Sequence, residues 1–76
     1  MSTMGEMIRK GRKQLRLTQA ELGLEIGIPN RRAAQTTIAM YENNNRFPVK
    51  HFVPLVDILG LSKRSCIDLL LQHIGR

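Results

Sequence analysis

Thr18 and Glu21 stand three residues apart just ahead of Leu22 and Ile26. This T-x-x-E arrangement is a capping box, in which the hydroxyl and the carboxylate satisfy free backbone N–H groups where a helix begins. A helix therefore starts at about Gln19. It has to be short, because Gly27 sits where a left-handed C-terminal residue is needed and glycine takes that conformation without a Cβ clash. Leu22 and Ile26 share one face, while Gly23 beside them removes the side chain that would hold a second helix at a distance. Ile28 then folds back onto the core. The chain is thus committed to a short helix, a turn and a close crossing with the next helix. That next helix begins somewhere between Arg31 and Gln35 and runs to about Asn43. On a wheel centred on Ile38, Ala34, Tyr41 and Glu42 lie on its side, whereas Thr36, Ala39, Met40 and Asn43 face away.

Three more helices follow from the same reasoning. Thr3 and Glu6 repeat the capping pattern, and Met4, Ile8, Gly11 and Leu15 form one stripe among Arg9, Lys10, Arg12 and Lys13, so a first helix covers about residues 4–15. The polar run 43–48 is a turn in which Pro48 blocks early resumption of a helix and Phe47 is the apolar plug. A fourth helix covers about residues 50–59, with Phe52, Val53, Val56 and Leu59 as its core side. Pro54 is tolerated only in a first turn, which moves its start toward Val53. Gly60 ends it, Ser62 caps the next, and the fifth helix extends to about His73. In that fifth helix Ile67, Leu70 and Ile74 are expected to face the core and Leu69 and its neighbours to face outward. Its apolar excess points to a partner, most simply a second copy meeting Leu69, Leu70, His73 and Ile74; the alternative is full packing against helices one and four. The expected architecture is a single all-α, five-helix domain over residues 1–76.

Twelve basic against six acidic side chains give a net charge of +6 and a pI of about 10.5. A basic footprint of that size suits a polyanion, nucleic acid first. The bases concentrate in residues 9–16 and 31–46; the bland alternative is that both are solvated faces. Cys66 is alone, in an apolar stretch, and reads as a small buried hydrophobe in a reducing compartment. No apolar run approaches the ~18 residues of a membrane span, and the N-terminus lacks a signal-peptide layout, so a cytoplasmic chain is expected. His51 and His73 have no Cys, Asp or Glu at ligand spacing, which argues against a metal or other cofactor. Ser62 and Ser65 lie near Cys66 with no histidine and acid to activate a nucleophile, so the chain does not read as an enzyme.

Ile8-Arg9 with Arg12, the block Leu17-Thr18-Gln19-Ala20-Glu21-Leu22, the segment Tyr41-Glu42-Asn43-Asn44-Asn45-Arg46-Phe47-Pro48, and Phe52-Val53-Pro54-Leu55 through Leu59-Gly60-Leu61-Ser62 together resemble the Cro/cI-type (XRE) helix-turn-helix family, the lambda-repressor-like DNA-binding domains. Two features depart from the family pattern: an extended turn, Pro29-Asn30-Arg31-Arg32-Ala33-Ala34-Gln35, and Asn44 in place of glycine, a silent change because asparagine tolerates positive φ. The resemblance implies that the third helix enters the major groove while the second braces on the backbone. Gln35, Thr36, Thr37 and Met40 then fall at or beside base-contacting positions, with Gln35 able to pair with adenine and Thr36 or Met40 able to touch a thymine methyl. It implies phosphate contacts from Gln19, Asn43, Asn45 and Arg46; Arg31 and Arg32 add two guanidiniums that can clamp phosphates or reach guanine O6 and N7. It also implies an internal Arg12–Glu42 salt bridge. The expected function is a repressor bound as a homodimer to a palindromic operator in double-stranded DNA; the rival is an antitoxin-like module whose first duty is a protein partner. RNA binding is disfavoured, because Tyr41, Phe47 and Phe52 are too few for a stacking platform.

Overall fold

The computed structural model describes residues 3–75, which form five helices and no strand: α1 (Met4–Gln14), α2 (Gln19–Glu25), α3 (Arg31–Glu42), α4 (Phe52–Leu59) and α5 (Lys63–Ile74). Four of them start on a side-chain cap. Thr3 accepts from the Glu6 N–H, Thr18 forms the full reciprocal box with Glu21, Asn30 accepts from the Ala33 N–H at 3.0 Å, and Ser62 accepts from Ser65. In α4 no side chain caps the first turn; Pro54 is its third residue, where the missing N–H has no intrahelical partner to lose.

Asn30 overturns the extended turn. Only residues 26–30 join α2 to α3, and Arg31, the earliest of the expected starts, is the first residue of a twelve-residue helix, so residues 31–35 are helical. An asparagine placed three residues before a free backbone donor is a cap signal, and it outweighs the turn character of Pro29.

Each of the first four helices ends in a left-handed residue: Arg16 (φ 59°), Gly27 (φ 102°), Asn44 (φ 59°) and Gly60 (φ 62°). At all four, the N–H after that residue reaches back to the carbonyl five residues earlier, Leu17 to Arg12, Ile28 to Gly23, Asn45 to Met40 and Leu61 to Val56, which is the Schellman closure. Arg16 is the costly member, since a left-handed L-residue with a Cβ loses about 1–2 kcal/mol. Glycine regains part of that against its larger unfolded-state entropy. Arg16→Gly is therefore expected to raise stability by about 0.5–1 kcal/mol, read as a melting temperature about 2–8 °C higher.

The core takes Met4 and Ile8 from α1, Leu22 from α2 with Ile26 at its cap, Ile38 and Tyr41 from α3, Leu55, Val56 and Leu59 from α4, and Cys66 from α5. Several sequence expectations are corrected. Leu15 caps α1 and is exposed, and the turn at Arg16 brings Leu17 onto the core instead. Phe52, Leu55, Val56 and Leu59 share the inner face of α4, which throws Val53 outward. The inner face of α5 is Cys66 with Leu69, so Leu69 packs inward while Ile67 and Ile74 stand out, the reverse of the expected orientation. Leu70 is half-buried. His73 is already engaged within the chain, its ring stacked on Phe47 with centroids 4.7 Å apart.

Candidate nucleic-acid interface

α3 is held by its contact with α2. A Cβ built on Gly23 would collide with the Ala34 side chain and lie 2.6 Å from Ala34 Cα, so only glycine allows the two helices to approach this closely. The buried side of α3 is Ala34, Ile38, Tyr41 and Glu42. Its opposite side carries Arg32, Gln35, Thr36 and Asn43, all exposed, with Ala39 and Met40 half-buried. Half-buried Thr37 lies on one flank, lining a depression with Arg46, Lys50, His51 and Tyr41. On the other flank, Gln19 of α2 shares a cleft with Arg31, Gln35 and Arg12.

Glu42, the last residue of α3, ties this helix to the rest of the fold. Its carboxylate is almost fully buried and accepts from Arg12 Nε at 2.6 Å, Arg12 Nη2 at 3.2 Å, Arg9 Nε at 3.3 Å and Gln19 Nε2 at 3.3 Å. Arg12 also donates through Nη1 to the Leu17 carbonyl at 2.9 Å. One carboxylate thus joins α1, α2 and α3. Burial pushes its pKa up, but donation from Arg12 and Gln19, the Arg12 charge and the bond from Arg9 outweigh burial and hold the carboxyl below its ordinary 4.5. A carboxylate with a depressed folded-state pKa binds fewer protons folded than unfolded, so its stabilisation is full above the unfolded value and lost as pH falls through the folded one. Urea midpoints are expected to hold down to about pH 4.5 and to fall below it, and Glu42→Gln is expected to flatten that fall from a lower starting value.

Two asparagines near the end of α3 have structural duties as well. Arg9 donates through Nη2 to Asn43 Oδ1 at 3.4 Å. Asn44 accepts from the Gly5 N–H at 3.1 Å and donates to the Thr3 hydroxyl at 3.2 Å, supplying an orphan donor at the start of α1 with its acceptor. Asn44 thus tolerates its positive φ of 59°, as expected, and also has a structural duty at the start of α1. Asn45 and Arg46 lie exposed in the loop beyond.

The electrostatics of this side are one-signed. Between residues 29 and 51 the chain carries Arg31, Arg32, Arg46 and Lys50, and its one acid is Glu42, which is buried and paired. Arg31 and Arg32 occupy the first turn of α3, which has no acid. Cations at that end oppose the helix dipole and cost about 0.3–1 kcal/mol each. Nearby Glu21 offsets part of this: its pKa is lowered first by the Thr18 backbone N–H, then by the Thr18 hydroxyl, and also by the Arg31 charge. Lys50 and His51, not expected from sequence, also line the depression beside Thr37 and Arg46. His51 Nδ1 lies 2.8 Å from the Tyr41 hydroxyl, and burial, then the Lys50 charge, lower its pKa below 6.5. The signal was available in their position two and three residues past the buried Pro48, which folds the loop back beside α3.

Among the described residues no helix is long and apolar enough to cross a membrane, and no group of three or more His, Cys, Asp or Glu is placed to hold a metal ion. No protein-family model matches the chain, and neither does any curated protein or solved structure.

Proposed function

We propose that this protein is a sequence-reading, double-stranded-DNA-binding regulator of transcription, a repressor that acts as a homodimer on a palindromic operator, with α2 and α3 as its helix-turn-helix. The observation that carries the reading is the placement of Arg31 and Arg32 in the first turn of an outward-facing helix, beside exposed Gln35 and Thr36. Two cations that oppose the helix dipole weaken the free protein, and a phosphate at that end reverses the penalty into attraction. In this reading Gln35 pairs with adenine N6 and N7, Thr36 touches a thymine methyl, and Thr37 and Met40 border the same bases. Gln19, Asn43, Asn45 and Arg46 position the backbone on either side, as do Arg31 and Arg32.

Arg32→Glu separates this role from a structural one, because the two effects have opposite signs. The substitution complements the dipole and is expected to stabilise the free protein by about 0.3–1 kcal/mol. It is also expected to weaken binding to duplex DNA at least tenfold and to lower the slope of log affinity against log salt by about 0.9, the share of one phosphate. Thermal melting and fluorescence anisotropy on one preparation measure both. Unchanged affinity in the stabilised variant would refute the proposed interface.

A further inference from the structure

The depression on the Thr37 flank of α3 holds a titratable group that base reading does not use. It has a volume of about 500 Å³ and lies between the α2–α3 turn, Thr37 and Tyr41 of α3, and the loop that leads into α4. Arg46 and Lys50 bring two exposed cations to it, Thr37 and Tyr41 bring hydroxyls, and no Asp or Glu lines it. His51 stands among them, with Nδ1 2.8 Å from the Tyr41 hydroxyl, and is the N-cap of α4, whose first turn has no side-chain cap. The partial positive charge at a helix start disfavours an imidazolium and favours an anion. Burial, then the charge of Lys50, hold the ring below its ordinary 6.5, so it is mostly neutral at neutral pH. With Nδ1 bare, the Tyr41 hydroxyl donates to it; in the imidazolium Nδ1 donates to the Tyr41 oxygen and the hydroxyl proton turns to another acceptor. The other charged and titratable groups lie elsewhere. Glu42 is turned to Arg9 and Arg12, Asp57 and Lys63 border a separate groove between α4 and α5, and His73 lies across Phe47 in a neighbouring depression.

We infer that this depression is a phosphate site in which His51 takes up a proton as the phosphate binds. The phosphate has two sources of one chemistry, a DNA backbone phosphodiester or a free phosphate group, and the inference rests on the proposed function only for the first. An oxyanion between Arg46 and Lys50 cancels the charge that keeps the ring neutral, and an opposite charge within about 4–6 Å moves a pKa by about 1–3 toward the charged form. The proton comes from solvent and the only bond made is N–H. The bound site then has a third positive charge and, at Tyr41, an O–H free to donate to a phosphate oxygen. Because the bound state holds more protons than the free one, affinity rises as pH falls through the bound pKa and levels off below the free one. That window lies above the pH at which Glu42 begins to protonate, so the fold is constant across it.

The His51 ring proton resonance in NMR spectra, assigned by its loss in His51→Gln, reports the titration midpoint in three solutions of equal ionic strength: chloride, inorganic phosphate in place of chloride, and chloride with scrambled duplex DNA. The midpoint is expected to rise by about 1 or more with phosphate or with duplex. A rise with duplex alone assigns the site to the DNA backbone, and a rise with inorganic phosphate alone assigns it to a free phosphate group. Where duplex raises it, affinity read by fluorescence anisotropy at fixed salt is expected to be about tenfold tighter at about pH 5.5 than at about pH 8. His51→Gln, whose amide oxygen still accepts from Tyr41, is expected to remove most of that dependence, and His73→Gln to keep it. A midpoint unmoved by both phosphate and duplex, or a pH dependence that survives His51→Gln, would overturn the inference. An unmoved His51 with intact, Arg32-dependent DNA binding would leave the proposed function standing; a response to inorganic phosphate in a protein that binds no duplex would do the reverse.

Discussion

Glu42→Ala is expected to cost about 3–5 kcal/mol, the loss seen when one partner of a buried ion pair is removed. The reason is what it leaves behind. Arg12 keeps only the Leu17 carbonyl, its guanidinium still largely enclosed with a side-chain exposure of 13%, and Gln19 loses its acceptor. Small domains are held by only about 5–15 kcal/mol, and each kcal/mol is worth about 4–8 °C of melting temperature at this size. A fall of 12 °C or more, approximately, is the expected result, up to a chain that does not fold at 37 °C. Arg12→Ala is expected to be milder, because Arg9 and Gln19 still donate to the stranded carboxylate. Equal melting temperatures for wild type and Glu42→Ala would show that the carboxylate does not join the three helices energetically.

Gly23→Ala should also be strongly damaging, for a steric reason. The added Cβ meets the Ala34 side chain, lies 2.6 Å from Ala34 Cα and 2.8 Å from the Ala34 carbonyl oxygen. Two of those three obstacles are backbone, so no rotamer change relieves them and α3 must move away from α2. Overpacking of this kind costs about 1–3 kcal/mol. The displacement also tilts the surface that carries Gln35 and Thr36, so DNA affinity is expected to fall with stability. Adding Ala34→Gly to Gly23→Ala removes only the side-chain collision, and the double-mutant cycle is expected to show partial rescue. Full rescue would mean that the backbone approach is looser than described; none would mean that Ala34 is not the obstacle.

Much of this fold could be read from residues because the relevant signals are local. Caps at Thr3, Thr18 and Ser62, left-handed ends at Gly27 and Gly60, and the inward set Ala34, Ile38, Tyr41 and Glu42 all follow from interactions within a few positions along the chain. Asn30 belongs to the same class, and its cap fixes the start of α3 at Arg31, the earliest of the positions that the residues from Arg31 to Gln35 left open. The errors arise where distant packing decides. Whether Val53 or Leu55 faces inward depends on where α4 meets α1 and α5, and six apolar residues on α5 give almost no preferred face until Cys66 is set into the core. The basic surface was half legible: Arg31, Arg32 and Arg46 stand out by composition, whereas Lys50 and His51 come to lie beside Arg46, Thr37 and Tyr41 only because the loop after α3 folds back along it.

Whether the outward side of α3 reads base sequence in duplex DNA, as proposed, is tested most directly by selection of binding sites from a random duplex pool. The expected result is an enriched inverted repeat, bound at least about a thousandfold more tightly than scrambled DNA at moderate salt, with half-sites about one helical turn apart. A pool that shows no enrichment, with binding that is uniform across sequences and vanishes steeply as salt rises, would contradict it and reduce Arg31, Arg32 and their neighbours to a generic basic surface.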